Sequence, residues 1–416
     1  MIKMHQNSLY LENIELNKLA KEYGTPLYAY SKNSIIQAFK SFDEAFGEHP
    51  HTICYAVKAN SNLAILSMLA KLGSGFDLVS GGELIRALKA GADPQKIVFS
   101  GVGKSADEIQ LALNANIGCF NVESFAELLM LDDIARSLNK KAPISLRVNP
   151  NVDAKTHPYI STGLKENKFG IAIEEAFDIY KKAQQLENIN IIGVDCHIGS
   201  QLTELSPYHD TLDKLLALID QLAEAGIFLK HLDLGGGIGV TYQDEIPLSP
   251  KDWITLIKER VNLNQHARHL HLIIEPGRAI VANAGVLLTE VILTKTNEAK
   301  HFAVVNAAMN DLIRPTLYSA WMRIVNTKSS NAPVRNYDIV GPICETSDFL
   351  GKDRELSLTS GDILAVLQAG AYGFTMSSNY NSRPRACELL IDNDQVHVIR
   401  QRETIESLFA LETMLD

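Results

Sequence analysis

Between residues 51 and 283, short β-branched or apolar runs alternate with longer stretches of helical spacing. The runs are HTICYAV (51–57), SGFDLVS (74–80), KIVFSG (96–101), IGCFNV (117–122), PISLRVN (143–149), IIGVDCHI (191–198), HLDLGG (231–236) and LHLIIEP (270–276). Each has the length and composition of a strand. Between them, NLAILSMLAKLG carries apolar residues at i, i+3, i+4 and i+7 and stops at glycine, and GGELIRALKAGAD, SADEIQLALNAN and SFAELLMLDDIARSL behave alike. SPYHDTLDKLLALIDQLAEAG opens with a cap and an early proline and ends at glycine. Eight strands, each followed by a helix, predict an α/β fold: a (β/α)8 TIM barrel over residues 32–283. A doubly wound open sheet has the same periodicity and stays open as the alternative.

After about residue 284 the pattern changes. GVLLTEVILTKTN, HFAVVNAAM, YDIVGPIC, DILAVLQAGAY and CELLIDNDQVHVI are β-rich, with turn residues between them and one helical stretch near 311–325. They predict a mainly antiparallel β-sandwich or β-barrel domain over 284–416. In residues 1–31, SLYLENI and TPLYAYS also read as short strands, and we expect them to join this domain rather than the barrel.

Composition narrows the function classes. A chain of 416 residues exceeds one small core and fits two domains. Its net charge of −10 argues against general binding to nucleic acid or anionic membranes, since both require basic surface. No apolar run is long enough to span a bilayer, and the polar start lacks the core of a signal peptide. Cys54, Cys119, Cys196, Cys344 and Cys387 are odd in number, widely spaced and free of CxxC pairs. We therefore expect no disulfide framework, no metal site and a cytoplasmic setting.

In a TIM barrel, chemistry gathers at the carboxyl ends of the strands. There the sequence places Lys58, Asp77, Ser80, Arg147, Asn149, His197, Ser200, the glycine run 235–239, Glu275, Gly277 and Arg278. The glycine run is a plain turn or a phosphate cradle, because glycine lets backbone N–H groups approach an anion closely. Lys58 is a surface lysine with its stem along a strand, or the covalent anchor of an aldehyde. An aldehyde with a phosphate arm is pyridoxal 5′-phosphate (PLP). PLP also needs a carboxylate against its ring nitrogen, for which Glu275 is placed, and a flat neighbour, for which His197 is suited. The plain readings are an ion pair of Glu275 with Arg278 and a buried, backbone-satisfied histidine.

YAVKAN, CHIGSQ, LDLGGGIGVTY, EPGR, RPTLY, CETSD and AGAYG follow one another in the order seen in diaminopimelate decarboxylases. From about residue 25 to 385 the chain resembles that family, which belongs to the alanine-racemase-like, or fold-type III, PLP enzymes. The resemblance implies that Lys58 holds PLP, His197 stacks on its ring and Glu275 pairs with its nitrogen. It implies that Ser200, Gly236, Gly237, Gly277 and Arg278 surround the phosphate, that Tyr372 contacts PLP, and that Asp77 and Arg147 support it. The implied reaction is decarboxylation of meso-2,6-diaminoheptanedioate at its D-centre to L-lysine and CO2, the last step of lysine biosynthesis.

Arg278, Arg314 and Tyr318 would bind the distal carboxylate of that substrate, Glu345 its ammonium, and Tyr372 would also line its site. Cys344 would protonate Cα. In the resembling family Cys344 and Glu345 reach the site from the partner of a homodimer. Each has a plain reading too: Cys344 as a small buried hydrophobe, Arg314 and Glu345 as solvated charges. The rival activity is decarboxylation of ornithine, arginine or carboxynorspermidine on the same fold. Rivals of another class are a non-catalytic PLP carrier and a cofactor-free barrel that binds a sugar phosphate.

Overall fold

The computed structural model describes residues 2–153, 167–298 and 300–415. The chain divides into two compact units, Phe39–Val240 with Ile246–Ala279, and Met1–Ala38 with Thr241–Glu245 and Ile280–Asp416. In the first, eight parallel strands run in chain order: His51–Ala56, Gly75–Leu78, Ile97–Phe99, Cys119–Val122, Ala142–Asn149, Ile189–Asp195, His231–Asp233 and His271–Ile274. Each pairs with the next, and the ring closes where Ile273 lies opposite Thr52. Closure rules out the open sheet, which would leave both end strands as edges. All eight predicted strands are present, yet the sixth and seventh end sooner than expected, at Asp195 and Asp233. After the seventh, Gly235 adopts φ +61° and turns the chain out of the pleat. A two-residue strand, Ile171–Ala172, adds to the fifth and was not predicted.

Helices Leu63–Lys71, Gly81–Lys89, Ala106–Ala115, Phe125–Ser137, Ile173–Ala183, Ser206–Glu224 and Pro250–Leu263 follow the first seven strands. Their starts are set locally. Asn62, Ser80, Ser105, Ser124 and Ser249 each accept a backbone N–H in the first turn, a cap that contributes about 1 kcal/mol. The eighth strand departs from the expected pattern, because only the four-residue helix Arg278–Val281 follows it. The outer ring is filled instead by the end of helix Lys32–Phe46, which precedes the first strand. There the Phe42 ring meets Trp253 edge-on at 6.4 Å, and Tyr208 packs on the same indole at 5.3 Å. Trp253 is fully buried, so removing its ring would destabilise the barrel by about 3–5 kcal/mol.

The second unit holds a branched nine-stranded sheet. Its long strand Gly285–Asn297 pairs with Leu27–Ser31 and Ile363–Val366 along its first half and with Lys300–Val305 along its second. Leu27–Ser31 also pairs with Cys387–Asp392, so TPLYAYS lies inside this sheet, as expected. SLYLENI does not: Ser8–Leu11 belongs to a separate three-stranded sheet with Ile2–His5 and Ile14–Glu15. Leu11, Leu27, Leu288, Leu389 and Ile391 are among the residues of one apolar core beneath both sheets. The large sheet is mixed rather than purely antiparallel, with two parallel pairs. The helix expected near 311–325 is only Arg314–Tyr318. The strands Ile324–Asn326 and Phe349–Ser357 were not predicted; the second is interrupted by charges that face solvent.

Candidate active site

The first barrel strand stops at Ala56, and Val57–Ala59 winds into a single 3-10 turn that carries Lys58. The lysine is therefore at a strand tip, with its side chain 38% exposed. Its Nζ lies 2.6 Å from Asp77 Oδ2 on the second strand. Asp77 is buried, and its other oxygen has no hydrogen-bond partner among the described residues. The pairing answers the desolvation problem that a lysine near a core raises.

Beside it lies a surface built from backbone. Arg278 Nη2 donates to Ser200 Oγ at 3.1 Å. Gly237 has φ +109°, and a Cβ there would sit 2.6 Å from the carbonyl oxygen of Gly199 and 2.7 Å from Leu202. A Cβ on Gly277 would approach Ala59 Cβ to 2.9 Å, so the loop after the eighth strand packs directly on the turn that carries Lys58. Gly236 N–H donates to His197 Nδ1 at 3.1 Å, which makes that nitrogen an acceptor and fixes the tautomer of a neutral ring. Burial of the ring, then the charges of Arg147 and Lys58, hold its pKa well below the usual histidine value.

Glu275, on the loop after the eighth strand, is buried, and Asn121 Nδ2 donates to it at 3.4 Å. Burial raises its pKa well above the carboxylate range; Asp233, Asp77 and Asp195 push the same way, and Lys58 opposes them. Arg147 is buried with Nη1 3.0 Å from Glu123 and Nε 3.9 Å from Asp195. Burial works against its charge, but the acids, Glu123 foremost, raise its pKa. Glu123 also accepts from the N–H groups of Gly101 and Gly170. Its own N–H donates to Glu127, which is paired with Lys104. Sequence reasoning missed Lys104, Glu123, Glu127, Asp195 and Asp233. The available signal was an acid inside or just past an apolar strand, as in VDCHI and HLDLGG.

An exposed amine, a turn that a side chain would block, a guanidinium with a hydroxyl, and a buried carboxylate suit an aldehyde with a phosphate arm and a ring nitrogen. The residues present thus fit PLP. Lys58, Asp77, Arg147, His197, Ser200, Gly236, Gly237, Glu275, Gly277 and Arg278 all lie in the barrel unit.

The other predicted residues lie in the β-rich unit. Arg314 opens the short helix, is buried, and places its guanidinium 4.5 Å above the centre of the Tyr242 ring. It is not a solvated surface charge. Tyr318, four residues on, is half-buried. Tyr372 adopts φ +55°, a left-handed conformation that is uncommon for an aromatic residue. Cys344 and Glu345 are exposed on the loop 341–348, so Cys344 is not a buried hydrophobe. The loop is held by buried Asp348, which accepts from the N–H groups of Ile343 and Met309, both at 2.7 Å. Cys344 N–H donates to Asn381, and Glu345 accepts from Tyr380 Oη at 2.5 Å.

Residues 32–282 match the family model for the pyridoxal binding domain of pyridoxal-dependent decarboxylases. Over 407 residues the chain is 57% identical to a diaminopimelate decarboxylase of Pseudomonas aeruginosa, covering 98% of this chain and 97% of that one. A diaminopimelate decarboxylase of Vibrio cholerae is 56% identical with the same coverage. The crystal structure of the Helicobacter pylori diaminopimelate decarboxylase complexed with L-lysine superposes with a TM-score of 0.91 at 48% identity, covering 95% of this chain and 98% of that one.

Proposed function

The chain belongs to the diaminopimelate decarboxylases, within the pyridoxal-dependent decarboxylases, and from that premise we propose how its residues divide the work. It is a PLP-dependent carboxy-lyase that converts meso-2,6-diaminoheptanedioate to L-lysine and CO2, the last step of lysine biosynthesis. When bound, PLP supplies an electron sink for the carbon–carbon bond that breaks. Lys58 anchors the cofactor, and Ser200, Gly236, Gly237, Gly277 and Arg278 hold its phosphate. His197, neutral, covers one ring face. Glu275 faces the ring nitrogen, and as a carboxylate it favours the cationic ring. Asp77 and Arg147 hold the surrounding charges in place, and Tyr372 contacts cofactor and substrate.

Arg278, Arg314 and Tyr318 bind the distal carboxylate; a planar guanidinium reads it with fixed geometry. Glu345 pairs with the distal ammonium. Cys344 delivers a proton to Cα after CO2 leaves, as a thiol held within reach of that carbon can. We assign Cys344 and Glu345 to the site of a second copy in a homodimer. Their joint exposure on the Asp348-braced loop supports this. A cytoplasmic setting accords with the five widely spaced cysteines.

What carries the residue roles is the meeting of Lys58, the blocked glycine turn with Arg278, and buried Glu275 at the strand ends of one barrel. CO2 release from meso-2,6-diaminoheptanedioate, ornithine, arginine and carboxynorspermidine tests the substrate. Release from the first alone is expected, with R314A raising KM more than it lowers kcat. Faster release from a substrate lacking the distal carboxylate would overturn the assignment of Arg314 and Tyr318.

A further inference from the structure

Glu275 shares its depth in the barrel with two more acids. Asp195, Asp233 and Glu275 are all buried, and one oxygen from each lies within 4.8 Å of the others. They stand on or just past the sixth, seventh and eighth strands. Asp195 Oδ1 and Asp233 Oδ2 have no hydrogen-bond partner among the described residues. Three ionised carboxylates at that spacing, out of water, repel strongly, so the cluster must hold a proton. Arg147 reaches Asp195 but is shared with Glu123.

We propose that Asp233 is a positioning residue for the reaction: it keeps a proton on Glu275 until the cofactor enters, and that proton then passes to the cofactor's ring nitrogen. The O–H bond of the Glu275 carboxyl breaks as the ring N–H bond forms. Loading then leaves a carboxylate against a ring cation without drawing that proton from solvent. The inference rests on the reading that Glu275 faces the ring nitrogen.

The surrounding groups favour this order. Burial raises Asp233 to about 7 and Asp77 adds to the rise, while the Gly235 N–H and Arg147 oppose it. Burial, then Asp233, raises Asp195 well above its usual value, with Arg147 opposing and Glu123 adding. Asp77 disfavours charge on Glu275 and Lys58 favours it. Nearby His197 is neutral. The Cys54 and Cys119 thiols are pushed up by burial, so they stay protonated. The Gly235 N–H that Asp233 Oδ1 accepts at 2.9 Å favours charge on Asp233 and leaves the shared proton on Glu275.

The test follows PLP binding to the full-length, cofactor-free chain by calorimetry at about pH 8, in buffers of different ionisation enthalpy, to count protons taken up. D233N removes a like charge and adds an amide donor, so Glu275 ionises before PLP arrives. Net uptake should therefore rise by up to about one proton per chain relative to wild type, whereas E275Q, which lacks the carboxylate that favours the cationic ring, should show no such rise. Changes at Lys58 are common to all three and cancel. Equal uptake in wild type and D233N overturns the proposal. If D233N does not fold, the wild-type infrared spectrum decides: protonated-carboxyl intensity equivalent to one group must be lost when PLP is added at about pH 8, and unchanged intensity refutes the transfer. Failure of PLP to bind at all would instead refute the reading of the site.

Discussion

Lys104 is the sharpest test of how the mouth of the barrel is held. Its ammonium is enclosed, with the side chain 1% exposed and that of Glu127 6% exposed. It donates to Glu127 at 2.7 Å, to the carbonyl of Asn121 at 2.8 Å and to that of Gly101 at 2.9 Å. These contacts tie together the ends of the third and fourth strands, next to the Asn121 amide that reaches Glu275. Replacing Lys104 by Met leaves Glu127 buried without its countercharge and takes the lysine's N–H donors away from the Gly101 and Asn121 carbonyls. Breaking a buried pair from one side destabilises by about 3–5 kcal/mol. For a unit of this size that lowers the melting temperature by roughly 6–20 °C.

The pH dependence has a definite sign. Burial raises the Glu127 pKa even with Lys104 present, and removing Lys104 raises it further. An acid whose folded pKa lies above its unfolded value disfavours folding as it ionises. The deficit of K104M is therefore smaller at about pH 5 than at about pH 8, because at the lower pH Glu127 takes up a proton. K104M/E127Q should recover part of the loss at the higher pH. Calorimetric melting of the wild type and the two variants across that range is the assay. A shift under about 3 °C, or a deficit that shrinks as pH rises, would refute the reasoning.

G237A should weaken PLP binding by about 10- to 100-fold, because a Cβ at φ +109° adds about 1–3 kcal/mol of strain and collides with the Gly199 carbonyl. Titration of the cofactor-free protein with PLP measures it, and unchanged affinity would remove the glycine turn from the cradle. Mixing the inactive K58A and C344A chains should restore activity, since one of the two sites in a heterodimer then has both residues intact. No activity despite demonstrated subunit exchange would contradict shared sites.

The sequence made the barrel legible because its signals are local. Period and caps marked the helices, and β-branched runs marked the strands. The site was legible where polar residues interrupted a strand end, as at Lys58, His197 and Glu275. Less legible was whatever depends on closure of the ring. Asp195 and Asp233 look like ordinary strand residues until the barrel turns them against Glu275. Lys104, just ahead of SADEIQLALNAN, and Glu127, inside SFAELLMLDDIARSL, carry no sign in the sequence that both are buried. The missed strand Phe349–Ser357 has charges on its solvent side, which weakens the alternation that marks a strand. The eighth helix was overpredicted because its place is taken by residues that precede the first strand.

The central claim is that one amine at the tip of the first strand carries the cofactor. Incubating the full chain with PLP, reducing with borohydride and mapping the modified peptide tests it directly. The account predicts a single phosphopyridoxyl group on Lys58 and none in K58A. A label on another lysine, or a wild-type chain that takes up no PLP, would contradict it.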